Sequence, residues 1–73
     1  MILKTENHIL EIKGCELWRN GIFFARGSVF YTDQIGQDLL STDLKKNPSI
    51  GDFLVLIGDK NTKHISEQIQ EIM

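Results

Sequence analysis

Apolar and polar residues alternate with period two along residues 8–13, where Leu10 and Ile12 fall on one face and Ile9 and Glu11 on the other. That pattern predicts a half-buried strand, which Gly14 ends. Residues 1–7 alternate poorly and leave a short strand and a loose lead-in both open. Residues 16–20 form the next arm, with Leu17 and Arg19 facing one way and Trp18 the other. Asn20-Gly21 follows, the dipeptide best suited to the two positive φ values of a type I′ turn, so a β-hairpin is predicted here. Its far arm continues through β-branched and aromatic residues from Ile22 to Thr32, interrupted by Gly27 and Ser28, where a bulge or sharp bend fits. On that arm alternation separates Phe23 and Ala25 from Ile22, Phe24 and Arg26, so both faces carry large apolar groups. Such two-sidedness implies a sheet covered on both faces, a curled barrel, or one face kept for a partner.

The pattern changes after Thr32. Asp33, Asp38 and Asp43 recur every five residues with Ile35, Leu39, Leu40 and Leu44 between them. This spacing predicts a short helical turn near residues 34–40 followed by loop, with a strand over residues 38–44 as the competing reading. Residues 45–49 form a turn, because Pro48 disfavours helix at Asn47, and Gly51-Asp52 closes it. Phe53–Ile57 is apolar on both faces and should be a central strand, the main partner of the hairpin. In the tail, Ile65, Ile69 and Ile72 stand at i, i+4 and i+7, the spacing of one helical face. Asn61 or Thr62 can cap such a helix, so a C-terminal helix is predicted over residues 61–73. The architecture expected is therefore α+β: a small, strongly bent antiparallel sheet of four or five strands, or a partly open barrel, with a C-terminal helix on one face or mouth.

Seventy-three residues make a single domain that buries only about 60% of its unfolded surface, so its core is thin. With 41% hydrophobic and 25% charged residues the composition is that of a folded domain rather than a disordered chain. The longest apolar run is too short to span a bilayer, and Met1 is not followed by a basic segment with a long apolar core. No membrane span or export signal is therefore expected. Cys15, the single cysteine, forms no internal disulfide and suits a reducing compartment, with the cytoplasm as the default. The net charge of −2 disfavours nucleic acid as a partner, because dedicated binders carry a basic excess.

Candidate chemistry is sparse. The aromatic and basic interleaving of Trp18, Arg19, Phe23, Phe24, Arg26, Phe30 and Tyr31 suits single-strand binding, in which bases stack on rings while guanidiniums hold phosphates. The segment RGSVFY resembles the aromatic strand motif of RNA-binding sheets but lacks its regular spacing. Against this, so small a domain needs most of its six aromatics for its core. Cys15, His8 and His64 are the only side chains able to supply a nucleophile with a base, or soft metal ligands, and they are scattered. A surface histidine or a small buried thiol is the simpler reading of each. The three aspartates lack calcium-loop spacing, and the glycines match neither dinucleotide nor phosphate-loop motifs. Lys45, Lys46, Lys60 and Lys63 flank the apolar strand and read as guards against edge-to-edge pairing rather than as a basic rim.

No cofactor, metal site or catalytic set is thus expected. The surface chemistry points to a non-catalytic protein-binding module, an inhibitor or assembly adaptor, whose partner is another protein or a second copy of itself. Trp18, Arg19, Phe23 and Arg26 are its candidate contact residues, since Trp and Arg dominate interface hot spots. Single-stranded nucleic-acid binding through the same face is the first alternative, and a small enzyme or metal site using Cys15 with His8 or His64 is the second.

Overall fold

Asn20 and Gly21 take φ values of 53° and 80°, the left-handed pair that a type I′ turn requires, and reverse the chain tightly. The computed structural model, which describes residues 1–34 and 40–73, shows the hairpin that follows from this turn. Its arms are β3 (Glu16–Arg19) and β4 (Ile22–Arg26). Before them lie β1 (Ile2–Lys4) and β2 (Ile9–Lys13); after them come β5 (Ser28–Thr32), β6 (Phe53–Ile57), β7 (Lys63–Gln68) and β8 (Glu71–Ile72). The strands form two antiparallel sheets, a five-stranded one in the order β4-β3-β2-β1-β8 and a three-stranded one in the order β5-β6-β7.

Two corners join the sheets, since β4 runs into β5 through Gly27 alone and β7 into β8 through Ile69 and Gln70. Strands that change sheets at bends are a standard way to turn the corner of an all-β domain. At the first corner the Gly27 N–H donates to the Cys15 carbonyl at 2.8 Å, and a Cβ on Gly27 would overlap the Ile57 carbonyl. Only glycine fits there. At the second corner the Ile69 N–H donates to the Asp52 carbonyl at 2.8 Å, and the Gln70 N–H to the Lys4 carbonyl at 2.7 Å. The core lies between the sheets. Leu3, Leu10 and Leu17 come from the larger sheet, Tyr31, Leu54 and Leu56 from the smaller, and Ile69 from the corner. Full burial of each such leucine contributes about 1.5–3 kcal/mol.

Phe53–Ile57 is the central strand expected, and it pairs with the far arm of the hairpin through β5. The 45–52 segment is fastened to that sheet's edge. Tyr31 and Lys45 exchange backbone bonds of 2.9 and 2.6 Å, and the Lys45 ammonium sits 2.7 Å from the buried Asp52 carboxylate.

Three expectations need correction. The fold is all-β rather than α+β, because the tail that was to form a C-terminal helix is strand over β7 and β8. Its isoleucines do not share one face: Ile69 is buried at the corner, whereas Ile65 is 48% exposed and Ile72 38% exposed. The i, i+4, i+7 spacing arises because β7 carries an irregularity opposite Phe53–Val55, which shifts its alternation, and because the corner then turns the chain. Asn61, offered as a helix cap, holds φ of 60° in the turn between β6 and β7. The helical turn near 34–40 falls on residues 35–39, outside the described residues, and the competing strand over 38–44 gives way at Ser41–Asp43 to a 3-10 turn. The aromatics, finally, do not fill the interior. Tyr31 is the aromatic of the described core, which aliphatic side chains otherwise make up. Among the described residues no helix is long and apolar enough to cross a membrane.

Candidate functional site

The hairpin's register decides which aromatic goes where. Leu17 pairs with Ala25 and Trp18 with Phe23, so Phe24 is an extra residue in β4, a bulge. A bulge kinks its strand and redirects side chains. Here it keeps Ala25 against the core yet sets Phe23 beside Trp18 on the outer face, their rings 5.8 Å apart and edge to face. Phe24 turns elsewhere, 5.3 Å from the His64 ring of β7.

The outer face carries Trp18, Phe23 and a set of matched charges. The Arg26 guanidinium lies 2.7 Å from the Glu16 carboxylate, whose other oxygen accepts the Trp18 indole N–H at 3.2 Å. The Arg26 hydrogen bond, with a smaller contribution from Trp18, holds the Glu16 carboxyl below the usual carboxylate range, and Glu16 raises the Arg26 pKa in return. Lys13 sits 4.4 Å over the Trp18 ring and 4.0 Å from Glu11. Lys4 pairs with Glu71 at 3.6 Å. Lys4, Lys13 and Arg26 on this face thus each have a carboxylate beside them.

The other region is a groove of about 320 Å³ where the two sheets part between β3–β4 and β7. No backbone hydrogen bond joins β4 to β7 among the described residues. Leu10, Leu17 and Leu54 line its floor, with Arg19, Phe24, Lys63 and His64 on its walls. Arg19 shares a face with Leu17 rather than with Trp18, and its guanidinium stacks 4.3 Å from the Phe24 ring centre. At one end Glu67 accepts from Asn7 at 2.7 Å and from Thr5 at 3.0 Å, and its carboxylate lies 2.8 Å from His8 Nδ1. These bonds, Asn7 first and His8 next, lower the Glu67 pKa. The carboxylate is aimed this way by the β7 irregularity. There the Leu54 N–H donates to Ser66 Oγ at 2.9 Å, and that hydroxyl donates to the Glu67 carbonyl at 2.8 Å.

The candidate set thus divides. Trp18, Phe23 and Arg26 come together on the outer face, whereas Arg19 lies in the groove. Cys15 is exposed in the turn between β2 and β3, at the opposite end of β2 from His8, so the fold does not gather the thiol and that imidazole. His8 and His64 both line the groove, without Cys15. Among the described residues no group of three or more His, Cys, Asp and Glu side chains is placed to hold a metal. Ser66 and Glu67 were not singled out from sequence; Phe24 stood in the aromatic and basic interleaving and Lys63 among the lysines that flank the apolar strand. No family model, no curated protein and no solved structure matches the chain.

Proposed function

We propose that this protein is a non-catalytic binding module whose partner is another protein, docked on the outer face of the hairpin around Trp18 and Phe23 with Arg26 at the rim. One observation carries the reading: the Trp18–Phe23 pair, with Phe23 46% exposed, stands among cations that all have carboxylate partners. An aromatic centre in a charge-neutral surround is the composition of a protein interface, with Trp and Arg as its favoured anchors. A single-strand reader needs unmatched cations beside its stacking rings, whereas Lys4, Lys13 and Arg26 on this face each have a carboxylate within 4.0 Å. The roles that fit are inhibitor or assembly adaptor, and the lone thiol suits the cytoplasm.

The test is a Trp18→Ala, Phe23→Ala double variant whose folding is verified by circular dichroism. The expected result is that a protein recovered with the unaltered chain is lost. Recovery of the same partner by both chains overturns the reading. A dimer in size-exclusion chromatography that the double variant abolishes makes the partner a second copy. Salt-dependent quenching of Trp18 fluorescence by oligonucleotides instead favours the nucleic-acid alternative.

A further inference from the structure

We propose that the groove between β3–β4 and β7 is a binding site for a small organic phosphate monoester, its phosphate on Arg19 and Lys63 and its apolar body on the leucine floor. This goes beyond the protein-docking reading and uses none of the Trp18, Phe23 or Arg26 face. The argument begins with charge. On the outer face Lys4, Lys13 and Arg26 all have carboxylates within 4.0 Å. In the groove neither Arg19 nor Lys63 has an acidic partner within that distance among the described residues. Glu67, the one carboxylate lining the groove among the described residues, is already engaged by Thr5, Asn7 and His8.

Geometry adds to charge. Arg19 is held against the Phe24 ring, which fixes the plane of its guanidinium and leaves its donor fork to meet an anion in two parallel hydrogen bonds. Two cations lining one groove match the roughly −1.5 to −2 charge of a phosphate monoester at neutral pH better than the single charge of a carboxylate or a phosphodiester. The His64 imidazole, edge to face with Phe24, offers a further donor. The floor of Leu10, Leu17 and Leu54 is apolar, and a concave site with few convergent polar groups over apolar walls is the usual form of a small-ligand pocket. At about 320 Å³ the groove takes a ligand the size of an aryl or short alkyl phosphate.

Amide NMR titration of the whole chain with phenyl phosphate tests this. Saturable shifts at Arg19, Lys63, His64 and Ser66 are expected, with weaker binding of inorganic phosphate, which lacks the body, and of benzoate, which lacks the second charge. Arg19→Gln and Lys63→Gln should each weaken phenyl phosphate binding about tenfold, whereas Lys46→Gln, the same charge change on an exposed site outside the groove, leaves it unchanged. Absence of saturable shifts, shifts centred on Lys13 and Arg26, or equal binding by Arg19→Gln and Lys46→Gln overturns the proposal. Tighter binding of a short oligothymidylate than of phenyl phosphate overturns the monoester assignment in favour of a phosphodiester strand. The docking face stands or falls separately, since its partner is lost with Trp18 and Phe23 rather than with Arg19.

Discussion

The outer face of the hairpin and the groove behind it share two strands and differ in how their charges are settled. Outside, Glu16 serves Arg26 and Trp18 together, Lys13 covers the indole, and Lys4 meets Glu71. Exposed pairs of this kind add little to stability, but they cancel charge and leave the aromatic pair as the distinctive surface. Inside, Glu67 is bound by Thr5, Asn7 and His8 of its own chain, while Arg19, stacked on Phe24, and Lys63 have no acidic partner within 4.0 Å among the described residues. The difference follows from one inserted residue. Without the bulge at Phe24 strict alternation along β4 would put Phe23 on the core side with Ala25, and Phe24 outside. With it, one ring completes the outer pair and the other builds the groove wall against which Arg19 stacks.

Substitutions that disturb the frame, then the wall, then single charges should separate the two regions in order of effect. The largest is expected from Gly27→Ala. The added methyl meets the backbone of Ile57, which no flexible side chain can relieve, so the corner must move. A loss of about 3 kcal/mol is expected in urea unfolding, with both regions disturbed. Ser66→Ala comes next. It leaves the N–H of Leu54, a residue only 1% exposed, without its acceptor, a penalty of about 1–3 kcal/mol. Amide shifts should concentrate on β6, β7 and the groove while Trp18 and Phe23 keep theirs. Ser66→Thr, which retains the acceptor, should recover most of the loss.

The smallest effect is electrostatic and has one representative on each side. Glu16 outside and Glu67 inside both have folded-state pKa values below those of the unfolded chain. A depressed carboxylate stabilises fully above its unfolded pKa, about 4.3, and the contribution disappears as pH falls through the lower folded value. Stability should therefore climb with pH through the acid range and level off above it. Glu16→Gln and Glu67→Gln should each flatten part of that climb. Thermal unfolding at a series of acid pH values measures both slopes. An unchanged slope in Glu67→Gln would mean that the Asn7 and His8 bonds are absent in solution.

Much of the frame was legible in sequence because short-range rules govern it. Asn20-Gly21 admits few conformations other than a tight turn, Gly27 marked the break in the long arm, and a run as apolar as Phe53–Ile57 has to be covered on both sides. The tail was misread for an equally physical reason. Three isoleucines at helical spacing satisfy a helix pattern, but a strand that carries an irregularity and then turns a corner samples the same spacing, and pairing with β6 and β1 overrides local preference. The outer site was partly legible, because alternation alone set Trp18 opposite Leu17 and Arg19. The groove was not. Its Glu67 contacts span 59 to 62 residues of sequence, and its wall depends on a bulge at Phe24, where the sequence marked a bulge or bend only at Gly27 and Ser28.

The division of the two rings is what everything else rests on, and a nuclear Overhauser spectrum of the unmodified protein reads it directly. The structure predicts cross-peaks from the Phe23 ring to the Trp18 indole and from the Phe24 ring to the His64 imidazole and the Arg19 side chain. A Phe24 ring that meets Trp18, or a Phe23 ring found among the core leucines, would contradict it.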